Sequence, residues 1–195
     1  EHLEDNILNG GSEGGREAVA FLRSLGNMLD QGAADARVTV KWDGAPAIIC
    51  GINPENGKFF VGTKSVFNKT PKINYTIQDI KNNHTGELVN ILRECLEYLS
   101  VLNIKGIIQG DLLFKSNSKK KTSYKGGDGK NESMISFTPN TITYMVPEKS
   151  DIGKRINRAK LGIIFHTTYK GSKMEKLSAK FGADVSKLRN SPNVF

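Results

Sequence analysis

Cysteine is scarce in this 195-residue chain: Cys50 and Cys95 are the only two, each inside an apolar run. The sequence reads them as reduced thiols packed as small hydrophobes, not as a disulfide or half of a metal site. Histidine is nearly as rare, and His2, His84 and His166 show no metal-ligand spacing, so zinc chemistry drops out. No apolar run approaches the roughly 20 residues of a membrane helix, and mean hydropathy is −0.39. Glu1-His2-Leu3-Glu4-Asp5 lacks the basic-then-apolar order of a signal peptide. It also lacks an initiator Met, so residues are expected upstream. These absences lead to the expectation of a cytoplasmic protein with no membrane partner. Nothing in the sequence speaks to oligomeric state.

What is present suits one domain with a real core, since 37% of residues are hydrophobic and 25% charged. The 28 Lys and Arg outnumber the 20 Asp and Glu, giving a net charge of +8. Such an excess favours a polyanionic partner, of which nucleic acid is the usual one.

Apolar spacing predicts a helix over 12–30, capped by Ser12, through Ala18, Phe21, Leu22, Leu25 and Met28. Strand character runs over 37–65: Val38-Thr39-Val40 leads into an Asp43-Gly44 turn, and Ala47 to Gly51 leads out. Pro46 should stand at a strand start or edge, because it has no donor for a ladder. A polar connector over 66–84 precedes a helix carrying Leu88, Leu92, Cys95, Leu99 and Leu102. A buried strand, Gly106 to Phe114, follows. Residues 115–133 hold six lysines among Ser, Asn and Gly and read as a mobile basic loop. Strands are expected at 134–137, 141–146 and 161–165, with a short helix capped by Ser150 over 150–159. An amphipathic helix is expected over 172–188. This mixture of hairpins and helices predicts an α+β fold in a single domain, 1–195.

Lys41-Trp42-Asp43-Gly44 is the run best suited to chemistry. A lysine at a strand end beside a tight turn sits on rigid backbone, and partial desolvation would free its amine to attack an electrophile. Taken alone, the run is an ordinary hairpin with Lys41 on the surface. Two further strand ends add weight. Val61-Gly62-Thr63-Lys64-Ser65 supplies a second lysine. Gly110-Asp111 supplies a carboxylate, costly in a buried strand unless it faces a cleft or a partner.

Lys41-Trp42-Asp43-Gly44 resembles the Lys-x-Asp-Gly nucleophile motif of the covalent nucleotidyltransferase superfamily, which comprises ATP-dependent DNA ligases, RNA ligases and mRNA capping enzymes. Val61 to Ser65 resembles that superfamily's next element, with Lys64 where Arg is usual. Ile107 to Leu112 resembles the third, with Asp111 in place of Glu. Leu161 to His166 looks like the strand that presents an aromatic ring to the purine. Over most of its length the chain also resembles proteins of large tailed phages, including cyanophages. The runs that carry this are Glu1 to Asp5, Lys41 to Ala47, Gln109 to Phe114, Pro139-Asn140-Thr141 and His166-Thr167-Thr168-Tyr169. Two later superfamily elements find no match: no Glu-Gly-apolar run follows Asp111, and Lys170 and Lys173 stand in for a Lys-x-Lys pair at the wrong spacing. The resemblance therefore reads as a member cut short at its carboxyl end, in preference to a degenerate one.

The resemblance implies a ligase-type fold of ATP-grasp-like antiparallel sheets flanked by helices. It implies ATP and Mg2+ as the substrate and its metal, and a lysine-AMP intermediate on Lys41, with Asp43 as a catalytic partner. Val40, Trp42, Gly44, Lys64, Asp111 and Phe165 would bind the nucleotide, with Phe165 on the purine, while metal ligands stay unassigned. AMP would pass to a 5′-phosphate end of RNA or DNA, in the cytoplasm of an infected host if the gene is a phage's. Lys119, Lys120, Lys121, Lys170 and Lys173 would contact phosphates. Two alternatives stay open: a non-catalytic nucleic-acid-binding or virion-associated protein of this fold, and an AMP-transferase acting on another acceptor.

Overall fold

The computed structural model describes residues 3–31, 42–127 and 129–195. The chain forms two compact units, Glu1–Lys41 and Trp42–Phe195. In the first, helix α1 (Leu3–Gln31) is kinked at Gly11, whose φ of 54° lies in the left-handed region. The segment before the kink begins at Leu3, with Glu4 and Asp5 in its first turn, where acidic side chains suit the helix dipole. The segment after it starts beside Ser12, where the sequence places a helix.

The second unit is mixed α and β. Its strands are β1 (Ala47–Ile52), β2 (Phe59–Gly62), β3 (Ile107–Lys115), β4 (Lys120–Lys125), β5 (Asn131–Phe137), β6 (Tyr144–Pro147), β7 (Leu161–Lys170) and β8 (Ser178–Phe181). Its helices are α2 (Ile77–Asn83), α3 (Glu87–Leu99) and α4 (Asp151–Arg158). A five-stranded sheet runs β2-β1-β3-β7-β8 and a three-stranded sheet β4-β5-β6, every strand pair antiparallel.

Strand alternation divides the core. Ile48, Cys50, Val61, Ile108, Leu112, Leu161 and Ile163 point to one face of the large sheet and meet Leu92, Cys95 and Leu99 of α3. Each fully buried Leu or Ile here contributes about 1.5–3 kcal/mol. On the other face Ile49, Phe60 and Ile107 pack with Val66 and Met174. A third cluster, Leu113, Phe114, Ile135, Phe137 and Ile156, ties the small sheet and α4 to β3. Both cysteines are free and buried, as expected. Ser150 caps α4 by accepting from the Gly153 N–H at 3.0 Å.

Four segments differ from the sequence expectation. Residues 115–133 are not a loop for most of their length: Lys120 to Lys125 pair with Asn131 to Ser136 as a β-hairpin. Every β4 side chain is exposed, so the strand carries no apolar alternation to read. Residues 172–188 form a 3-10 turn (Met174–Lys176), then β8, with no α-helix. Met174 and Leu177 go to one core cluster and Leu188 to another, while Phe181 is 86% exposed. The connector 66–84 holds α2, started by a capping box between Thr76 and Asp79. Strand β7 continues past Phe165 to Lys170. The expected strand Val38-Thr39-Val40 lies outside the described residues.

Candidate functional site

The segment leading into β1 lies against β3. Ala45 donates its N–H to the Leu112 carbonyl at 3.0 Å, and Leu112 donates back to Pro46 at 3.1 Å. Pro46 thus serves as an acceptor at the strand start, where its missing donor costs nothing. Gly44 comes so close that an added Cβ would stand 2.7 Å from Asp111 Cβ and 2.8 Å from the Leu112 carbonyl oxygen. Only a glycine fits, and the Asp43-Gly44 and Gly110-Asp111 runs therefore meet.

Trp42 and Asp43 are held from the small sheet. The Trp42 ring packs on Tyr144 with centroids 4.8 Å apart. The Asp43 N–H donates to the Tyr144 hydroxyl at 2.6 Å. Asn140 Nδ2 and Thr141 Oγ1, in the β5–β6 connection, both donate to Asp43 Oδ2, at 3.1 and 3.3 Å. The carboxylate is oriented by two neutral donors, which leaves its charge to act outward.

Asp111 lies across from Ala47 of β1 and Ile164 of β7. Its neighbours in β3, Gly110 and Leu112, belong to the α3 side, so Asp111 faces away from that helix. Between Gln109–Thr167 and Gly110–Phe165 the β3–β7 register shifts by one residue. The extra residue is His166, a β-bulge of the kind that re-aims a side chain. His166 Nε2 lies 3.5 Å from Asp111 Oδ1, with side chains 29% and 25% exposed. Its Nδ1 lies 2.8 Å from Thr167 Oγ1. A contact this open to water contributes about 0–1 kcal/mol, so it orients the pair more than it stabilises the fold. Further along the same face, Tyr169 donates its hydroxyl to Gln109 Oε1 at 2.6 Å.

Phe165 does not join this face. It pairs with Gly110 and packs into the cluster under α3, because the bulge sends Phe165 one way and His166 the other. An added Cβ on Gly110 would meet the Phe165 ring at 2.9 Å. Phe165 is half-buried against that cluster, on the face of the sheet opposite Asp111. Lys64 is exposed and opens a 3-10 turn (Lys64–Phe67) capped by Thr63. Gly62 lies across from Ile49, two residues from Ala47, so the chain leaves β2 at the end of β1 that Asp111 borders.

The remaining lysines lie elsewhere. Lys170 ends β7 six residues beyond Ile164, the partner of Asp111, or about 20 Å at roughly 3.3 Å per residue. Lys173 precedes the 3-10 turn at Met174. Lys119 caps the carboxyl end of α4, while Lys120 and Lys121 belong to β4. Lys41 and Val40 lie outside the described residues. Among the described residues no three His, Cys, Asp or Glu side chains converge to hold a metal ion. Nor is any helix among them long and apolar enough to cross a membrane.

The family described as "Family of unknown function (DUF6267)" matches the chain over residues 1–195. The chain belongs to the DUF6267 family. No curated protein and no solved structure matches it. In this DUF6267 protein His166, Asn140, Thr141 and Tyr144 join the site without having been singled out as candidates from the sequence. Three of the four lie in the runs Pro139-Asn140-Thr141 and His166-Thr167-Thr168-Tyr169, while Tyr144 lies in neither.

Proposed function

We propose that this chain is a covalent nucleotidyltransferase of the ATP-dependent ligase type, with Lys41 as its nucleophile. The observation that carries the reading is the approach of Gly44 to Asp111, which joins two runs far apart in the sequence. A ligase-type fold would need that meeting, since the nucleophile motif and the ribose-binding carboxylate must share one nucleotide. The mixed architecture with two antiparallel sheets is compatible with that fold.

In this reading the neutral amine of Lys41 attacks the α-phosphorus of ATP in line. An N–P bond forms, the bond to the pyrophosphate oxygen breaks, and the ammonium proton passes to solvent. Asp43, steadied by Asn140 and Thr141, orients the amine. Asp111 accepts from the ribose hydroxyls, and Lys64 adds a cation at the same sheet end. His166 holds the Asp111 carboxylate in place. Asp43 and Asp111 are the carboxylates that would hold magnesium here, and the ion would supply neutralisation of the triphosphate charge. AMP then passes to a 5′-phosphate of a nucleic-acid end, and a 3′-hydroxyl displaces it.

The test is incubation with α-labelled ATP and magnesium, followed by a denaturing gel. Label on the wild type that is lost in Lys41→Ala supports the reading. No label on the folded chain overturns it. Label without joining of nicked or single-stranded ends would move the acceptor to another class of molecule.

A further inference from the structure

The carboxyl end of α4 and the edge strand β4 form a cationic surface that the nucleotide site does not use. Two clefts adjoin there, both lined by Arg158. One, of about 320 Å³, is lined by Lys119, Lys120, Lys121, Asn157 and Lys160 among others. The second, of about 490 Å³, is lined by Arg155, Asn190 and Ser191 among others. Neither has a carboxylate in its wall, whereas the clefts at Glu175, at Asp184 and at Glu13 each include acids.

A helix carboxyl end ordinarily repels anions, because its free carbonyls carry a partial negative charge. Here that charge is covered. Lys119 Nζ donates to the carbonyls of Ile156, Asn157 and Ala159 at 2.8, 3.0 and 2.6 Å. Burial first, and then the nearby Lys160 charge, push its pKa down. Lys121 and Lys154 are engaged by Glu148 and Asp151. Lys120, Arg158 and Lys160 are exposed and form no ion pair among the described residues. The backbone of β4 is open along its outer edge, since the small sheet ends there.

We infer that this surface binds the sugar-phosphate backbone of a nucleic-acid strand, with Lys120, Arg158 and Lys160 on successive phosphates. Two adjoining acid-free clefts that share one arginine suit a polymer of phosphates better than a single nucleotide, which would fill only one. The inference rests on the proposed function for the role of the bound strand, as acceptor, but its geometry is independent of Lys41.

The test is binding of a fluorescent single-stranded DNA and an RNA of the same sequence to the full chain, measured across salt concentrations. Lys120→Ala/Arg158→Ala/Lys160→Ala should weaken binding about tenfold or more at low salt and flatten the slope of log K against log salt by about 2 to 3. Removing the same charge elsewhere, as Lys69→Ala/Lys81→Ala/Lys105→Ala, should leave most of the affinity and the site-specific slope. All six side chains are exposed, so melting should be unchanged and loss of fold is separable. Equal weakening by both triple variants, or no binding by wild type, would overturn the inference. Lys41→Ala should bind like wild type, so failure of adenylylation and failure of this surface are read separately. A preference for RNA or DNA would name the acceptor.

Discussion

Replacing Gly44 by alanine tests the contact on which the site depends. The new Cβ would stand 2.7 Å from Asp111 Cβ and 2.8 Å from the Leu112 carbonyl oxygen, neither of them the loose end of a flexible side chain. Something must shift, and the hydrogen bonds between Ala45, Pro46 and Leu112 resist that shift. Overpacking of this kind costs about 1–3 kcal/mol. For a unit the size of Trp42–Phe195, that lowers Tm by roughly 2–12 °C. The same displacement carries Asp43 away from Asp111, and misplacement by about 1 Å costs on the order of 100-fold in rate. Thermal melting by circular dichroism reads the first effect, and the rate of label transfer from ATP reads the second. Gly127→Ala is the control, because nothing lies within 4 Å of its added Cβ. If Gly44→Ala melted with wild type and labelled at the wild-type rate, the argument from close approach would be wrong.

Other consequences are open to measurement. Phe165→Leu should lower Tm with little effect on label transfer, while His166→Ala should slow transfer at nearly unchanged Tm; the reverse pattern would return the aromatic ring to the site. Thr76→Ala removes half of the capping box of α2 and should cost about 1 kcal/mol, read as a fall of about 2–4 °C in Tm. Burial, then the Lys72 charge, hold the His84 pKa below its ordinary 6.5, and its Nε2 lies 3.3 Å from the buried Asn74 amide. The folded state binds fewer protons there, so the stability from neutral His84 is full above 6.5 and is lost as pH falls below it. Denaturant titrations should show this decline as pH is lowered through 6.5, and it should shrink in His84→Gln. Burial raises both thiols, Cys50 and Cys95, so iodoacetamide at mildly alkaline pH should label them only after unfolding.

Apolar patterning made α3 and β3 legible in the sequence, because one buries a stripe and the other nearly every residue of a run, while the Ser150 cap marked α4. Strand β4 was hidden because it is an edge strand with both faces in water, and such strands carry charge in place of alternation. The helical spacing of Met174, Leu177 and Leu188 was coincidental, since those side chains answer to two separate core clusters. At the site, Asp43, Gly44 and Asp111 could be read as motifs because turn and strand-end chemistry restrict which residues fit. The fate of Phe165 could not, because one extra residue in β7 decides which face each side chain takes. Asn140, Thr141 and Tyr144 reach Asp43 from a second sheet, and no local pattern records that meeting.

The most direct test of the central claim is to locate the adduct. After reaction with ATP and magnesium, peptide mass mapping should find one adenylyl group on Lys41, released by mild acid and stable in base, as a phosphoramidate is. An adduct on a serine, threonine or tyrosine, stable in acid, would contradict the account, as would an unmodified Lys41 in a chain that binds ATP.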